Sequence, residues 1–267
     1  MASKLVAPTR KPIRLPPVRP NAGIEAAYRD RLERMIAAMH ASIVRAVTRA
    51  WRAKPPEMAQ DESPAAALRA IMERLRRHWT DKFAELADGQ ARRFAGDALK
   101  QTDRAFAAQL RRAGFTVKFQ ISREVNDVFR ATVSEQVNLI RSIPEQHLTQ
   151  VEGAVMRSVQ VGRDIGGLTK ELEHQFGVTH RRAAIIARDQ NNKATATIMR
   201  ARQQELGITE AVWLHSLGGR HPRPEHLAFN GKRYEIAKGA FLEGKWTWPG
   251  VEINCRCVSK SIIPGLN

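Results

Sequence analysis

Between Tyr28 and Leu206 the apolar residues return at steps of three and four, a period that commits most of the chain to amphipathic helix. The first run holds Tyr28, Leu32, Met35, Met39, Ile43, Val47 and Trp51, with Arg29, Arg31, Arg34, Arg45 and Arg49 largely off that stripe. It predicts a helix from Ile24, stopped by Lys54-Pro55-Pro56, because proline disfavours helical geometry in the residue before it. Ser63-Pro64 reads as a cap followed by proline at the first helical position. It opens a second helix with Leu68, Ile71, Met72, Leu75, Trp79, Phe83 and Leu86 on its buried face. Asp88-Gly89 predicts a break, after which a third helix carries Phe94, Leu99, Phe106 and Leu110 to Gly114. Phe115, Val117, Phe119 and Ile121 alternate, which predicts a short strand or an extended crossing. Ser122 then caps a helix bearing Val125, Val128, Phe129, Val133, Val137 and Ile140. Pro144 is expected to restart the chain in a further helix with Leu148, Val151, Val155 and Val159. Gly162, Gly166 and Gly167 mark a turn, Leu168 to Phe176 one short helix ended by Gly177, and Thr179 the cap of a last long helix ending at Leu206-Gly207.

The two ends depart from this period. Residues 1–20 carry Lys4, Arg10, Lys11, Arg14 and Arg19, no acid, and five prolines, so an extended arm is expected there. From residue 212 onward short apolar runs are divided by Gly and Pro. Val212-Trp213-Leu214 predicts a strand, and Asn230-Gly231 between Phe229 and Tyr234 a hairpin turn. The fold class expected is mainly α: an elongated helical body with a small C-terminal β-containing (α+β) module. Its parts are a basic Pro-rich arm (1–20), an N-terminal helical region (21–142), a second helical part (143–211) and the module (212–267).

Charge bounds the partners. The chain has 44 basic and 27 acidic side chains, a net +17, and an isoelectric point near 10.8. Such an excess suits a polyanion, and nucleic acid is the commonest one. Lys4, Arg10, Lys11, Arg14 and Arg19 are the candidates for nucleic-acid contact. Aromatic residues make up only 6% and do not interleave the basic stretches, which argues against a single-strand stacking platform. No apolar run approaches the roughly 18–20 residues of a membrane helix, so no membrane partner is expected. Met1 to Val6 is followed by prolines rather than an apolar core, unlike a secretory signal. Two cysteines two positions apart cannot build a disulfide framework, which suits a reducing cytoplasm during synthesis.

The C-terminal module concentrates His215, Arg220, His221, Arg223, His226, Cys255 and Cys257. His221 and His226 form one ligand-type pair and Cys255-x-Cys257 a second, flanking the expected hairpin. Zinc takes four N or S donors tetrahedrally and often holds small modules together, so these four residues are the candidate metal ligands. No other cofactor is expected. The competing structural reading makes the cysteines small buried hydrophobes and hydrogen-bonds the histidines to a neighbouring loop. A Cys255–Cys257 disulfide is disfavoured, because so small a ring is strained. A metal-dependent DNA-processing enzyme, nuclease-like, is the alternative function. His226 and Asn230 are available to it, but no Asp lies between Val212 and Asn267. Glu210 just before the module, and Glu225, Glu235, Glu243 and Glu252 along it, show no pairing around a base. No phosphate-binding loop, nucleophile elbow or H-E-x-x-H is present, so no catalytic residue is assigned. Arg188-Asp189-Gln190 with Asn191, Asn192 and Lys193 is a polar run inside a helix, and its amides suggest a hydrogen-bond network to the module.

An ordered series of motifs carries a resemblance. It begins with Ile140-Arg141-Ser142-Ile143-Pro144, Gly162 to Gly167, Leu172 to Val178 and Ala187-Arg188-Asp189-Gln190. It continues with Glu205-Leu206-Gly207-Ile208, Trp213, Pro222-Arg223-Pro224-Glu225-His226 and Asn230-Gly231, and closes with Pro249-Gly250 and Asn254-Cys255-Arg256-Cys257. This series resembles the Mu-type phage head morphogenesis family, also called minor head or minor capsid proteins. The resemblance implies a structural, non-enzymatic virion protein acting in prohead assembly. Its partners would be the portal protein, the major capsid or scaffold protein and packaged double-stranded DNA. It would sit in the virion head, after a stay in the host cytoplasm during assembly. Arg188, Asp189, Gln190, Trp213, Arg223, Asn230, Gly231, Asn254 and Arg256 are its structural-motif positions here. Some relatives carry a Cys-x-x-Cys before the Asn-Gly and a His before the closing cysteines. Here the Arg223 to His226 segment and Ile253-Asn254 stand in those places. His226, Cys255 and Cys257 remain as candidate ligands, with His221 the fourth. Many relatives also carry Thr-Glu after the helix arginine, where this chain has Asp189-Gln190.

Overall fold

The computed structural model describes residues 12–52, 64–160, 165–218 and 221–263. Lys54-Pro55-Pro56, Ser63 and Gly162, together with Lys4, Arg10, Lys11 and Arg220, lie outside them. In chain order the elements are β1 (Ile13–Arg14), α1 (Ala22–Arg52), α2 (Pro64–Arg112), α3 (Arg123–Gln160) and α4 (Ile165–Glu205). The module follows with β2 (Glu210–Leu214), α5 (Pro224–Ala228), β3 (Arg233–Glu235), β4 (Ala240–Leu242), β5 (Lys245–Thr247) and β6 (Val258–Ile263). The protein is mainly α with a C-terminal β module. None of the described helices is long and apolar enough to cross a membrane.

Three expected breaks do not occur. Asp88-Gly89 lies inside α2, Pro144 inside α3 and Gly177 inside α4. The reason is the phase of the buried stripe. In α2 it runs Phe83, Ala87, Ala91, Phe94, Ala98, Thr102, Phe106 and Leu110, unbroken across Gly89. In α3, Ile140, Ile143, His147, Leu148 and Val151 keep phase through Pro144. An interior glycine costs about 1 kcal/mol and an interior proline about 3 kcal/mol. Each fully buried large side chain returns about 1.5–3 kcal/mol, so continuous stripes outweigh the local breakers. Thr179 is likewise no N-cap. Its hydroxyl donates to Gln175 O, 2.9 Å away, within α4. The true stop is Gly207, whose φ of +71° lets Ile208 N–H reach Gln203 O and Gly207 N–H reach Gln204 O, closing the helix end.

The chain forms two compact units whose boundaries fall within α1 to α4. One comprises residues 27–91 and 134–186, and its described residues are all helical. In it the Tyr28 hydroxyl donates to Gln136 Oε1 at 2.9 Å with both residues fully buried, linking α1 to α3. Arg76 pairs with Glu152 at 2.6 Å, linking α2 to α3. His40 stacks on Phe176 at 4.5 Å, linking α1 to α4.

The other unit comprises residues 1–26, 92–133 and 187–267, and it holds the module. Its main sheet is antiparallel throughout, in the order β1-β6-β2-β3, and β4-β5 form a separate pair. The arm supplies an edge strand: Ile13 lies opposite Ile263, and Leu15 and Val18 are buried in the core beneath. Phe115 to Ile121 form neither helix nor strand and do not join the sheet. Phe115, Val117 and Phe119 pack on the same core, while Ile121 is exposed. Asn230-Gly231 makes a turn but not a strand-to-strand hairpin. It leads from α5 into β3, because α5 lies between the antiparallel neighbours β2 and β3.

Candidate metal centre in the C-terminal module

Two short segments converge on Trp213, which is fully buried in the middle of β2. The first is α5, begun by Arg223 in extended geometry with Pro224 at its first turn. His226 is the residue of α5 that turns inward, with 1% exposure, and its ring meets Trp213 edge-to-face at 5.0 Å. The second is the run before β6. Extended backbone sends alternate side chains to one side, so Cys255 and Cys257 both point in and Arg256 points out.

The polar run of α4 holds this loop. The Asp189 carboxylate accepts Asn254 N–H, and Asn192 Nδ2 donates to Cys255 O at 3.3 Å. Asn191 Nδ2 donates to Asn21 O at 2.9 Å, and the buried Gln190 lies beside Asp189. Gly250 has φ +87°, and a Cβ there would lie 2.9 Å from Ala196 Cβ and 3.0 Å from Cys257 O. The loop is therefore seated directly against α4. On the outer side Arg223 Nη2 donates to Ile253 O at 3.1 Å, and Asn230 Oδ1 accepts His215 N–H at 2.9 Å. Gly231 N–H donates to Trp213 O at 2.8 Å. Arg188 is half-buried and Arg256 exposed.

His226 Nδ1 lies 3.5 Å from Cys255 Sγ and 3.8 Å from Cys257 Sγ. All three residues are buried, and their donor atoms lie within 4.8 Å of one another. A tetrahedral ion with Zn–S of about 2.3 Å and Zn–N of about 2.0 Å sets its N and S ligands about 3.5 Å apart. The donor set and the spacing both suit zinc. His226 Nε2 is buried without a hydrogen-bond partner. The thiols titrate as a pair. The Cys257 thiol hydrogen-bonds the Cys255 thiolate and lowers Cys255, while the same interaction and burial raise Cys257.

His221 does not join the trio. It is exposed, ahead of Pro222 and Pro224, and only His226 lies far enough into α5 to face inward. The module's acids are engaged elsewhere. Glu210 pairs with Arg233, Glu235 with Lys238, Glu243 with Arg223 and Glu252 with Lys245, and Glu225 accepts Glu243 N–H. Among the described residues no carboxylate joins His226 in a metal-sized group. Of the arm's cations, Arg14 and Arg19 are described and exposed.

Sequence reasoning missed two polar residues that hold this unit together. Arg202, 1% exposed, donates to both Asp103 oxygens at 2.8 and 2.7 Å, to Gln120 O at 2.6 Å and to Glu205 at 2.7 Å. Gln203 Nε2 donates to the hydroxyls of Ser259 and Ser261 on β6, at 3.0 and 2.8 Å. A signal existed, since both sit where the periodic stripe of α4 demands burial.

A long-helical protein whose small β module is seated on its last long helix is the class these observations define. Residues 149–260 match the family described as Phage Mu protein F like protein, and the match supports the Mu-type phage head morphogenesis family. A Haemophilus influenzae protein described as uncharacterized is 26% identical over 250 residues, covering 92% of this chain and 55% of its own length. The chain thus spans about half the length of the curated relative it matches. No solved structure matches.

Proposed function

We propose that the protein is a minor head protein of a tailed phage, built into the prohead near the portal. Its partners are the portal protein and the major capsid or scaffold protein. The observation that carries this reading is the match of residues 149–260 to the Phage Mu protein F like family. The site supports a structural rather than a catalytic role. The module's carboxylates are committed to ion pairs and backbone contacts, and the buried His226 faces thiols rather than a water-filled cleft. The surplus of 17 positive charges suits packaged double-stranded DNA, where phosphate contacts need charge but no base code. The protein works in the virion head and passes through the host cytoplasm during assembly.

Quantitative mass spectrometry of purified proheads and mature particles tests the reading. A low, reproducible copy number relative to the major capsid protein is expected, and absence from both particles would overturn it. The DNA contact predicts duplex binding that weakens steeply with salt. Nicking of supercoiled DNA with Mg²⁺ or Mn²⁺, lost in His226→Ala, would replace the structural reading with a metal-dependent DNA-processing enzyme.

A further inference from the structure

We propose that His226 Nδ1, Cys255 Sγ and Cys257 Sγ bind one zinc ion, leaving a fourth coordination position to a donor outside this trio. The inference is independent of the head-assembly reading, because it rests on the geometry of three side chains.

Three observations carry it. The N···S separations of 3.5 and 3.8 Å lie at and slightly above the roughly 3.5 Å edge of a zinc tetrahedron, so the three donors converge at ligand spacing. The donors are held in place from behind. Trp213 backs the imidazole at 5.0 Å, Asn192 holds the Cys255 carbonyl, and Gly250 brings the loop to within contact of α4. Such support fixes ligand orientation before binding, which lowers the cost of assembling the site. The charges also balance. On binding, each thiol gives its proton to solvent, and two thiolates, one neutral imidazole and Zn²⁺ sum to zero. A neutral assembly suits a site whose ligands are 1–4% exposed, where a net charge is costly.

Two thiolates and one imidazole favour zinc over the hard cations magnesium and calcium, which take oxygen. The ion would tie α5 to the segment entering β6. β3, β4 and β5 separate these two segments in sequence, and no disulfide joins them. Among the described residues three ligands converge, which leaves the fourth position of the tetrahedron to a donor outside this trio.

The test uses the full chain, purified with reductant, supplied with Zn²⁺ and desalted. About one equivalent of zinc per chain is expected, by elemental analysis. Replacement by Co²⁺ should give the thiolate-to-cobalt charge-transfer absorption. Cys255→Ser, Cys257→Ser and His226→Gln should each lower metal content at least several-fold, whereas His221→Ala should retain both metal and spectrum. Chelator should lower the midpoint of thermal unfolding of the wild type but not of a Cys255→Ala/Cys257→Ala variant that keeps its helical circular dichroism. Wild-type protein without metal or charge-transfer band overturns the proposal. Loss of metal in His221→Ala overturns the three-ligand assignment.

Discussion

Replacing Arg202 with methionine removes a buried guanidinium while keeping a side chain long enough to lie on Phe119, over which the cation sits at 4.6 Å. Four hydrogen bonds disappear: two to Asp103, one to Glu205 and one to the Gln120 carbonyl. Breaking a buried ion pair from one side costs about 3–5 kcal/mol, mostly because the partner is left charged and unpaired. Asp103 and Glu205 each keep 21% side-chain exposure, so water reaches both carboxylates. The lower end, about 3 kcal/mol, is therefore expected. Lysine at this position keeps the charge but cannot reproduce the two-pronged grip on Asp103, and should cost about half as much. Urea unfolding read by amide exchange in β2 and β6 measures the loss in the unit that contains them. Asp103→Asn in the Arg202→Met background should cost much less than in the wild type, since the network is already gone. A loss under about 1 kcal/mol for Arg202→Met, or full additivity of the two substitutions, refutes the network as a stabilising element.

Three further outcomes follow from particular residues. His147 Nδ1–H donates to Thr179 Oγ1, whose own proton goes to Gln175 O; burial, then the neighbouring His40, lowers its pKa to about 4, so the ring is neutral at pH 7. The unfolded chain takes up this proton near pH 6.5, so the stability present above pH 6.5 is lost as pH falls toward 4. The loss approaches about 3 kcal/mol at about 1.4 kcal/mol per pH unit, and acid titration of His147→Gln should lack this component. Gly89 has open space at the Cβ position inside α2, so Gly89→Ala should stabilise by about 0.5–1 kcal/mol in thermal unfolding. Gly250→Ala meets both a positive φ and contacts of 2.9–3.0 Å, and should destabilise the module by about 2 kcal/mol or more, seen as earlier release in limited proteolysis.

The stripes of the helices were legible because the helical period is local: each turn declares its buried face within four residues. Even so, Gly89, Pro144 and Gly177 look like punctuation in the sequence, although the apolar phase on either side contradicts a break. The sequence period puts Met35 on the stripe of α1, whereas Ile36 is the residue buried there, a shift of one position that periodicity alone tolerates. The strand at Val212 and the stop at Gly207 were equally plain, the first from its apolar run and the second from the freedom of glycine.

What the sequence by itself determined was local: a helical body, a change of period near residue 210, a pair of cysteines with a histidine upstream. What only the tertiary structure decided was which distant segments meet. Ile13 pairs with Ile263, 250 positions away, and no local pattern encodes that register. His221 is a possible fourth ligand beside His226 on paper, yet only His226 faces Cys255 and Cys257, because α5 turns it inward while His221, ahead of the helix, stays in solvent. Arg202 looks like one more cation in a strongly basic chain until burial brings Asp103 and Glu205 to it. Periodicity is written in neighbours, whereas burial and pairing between remote residues are set by packing of the whole unit.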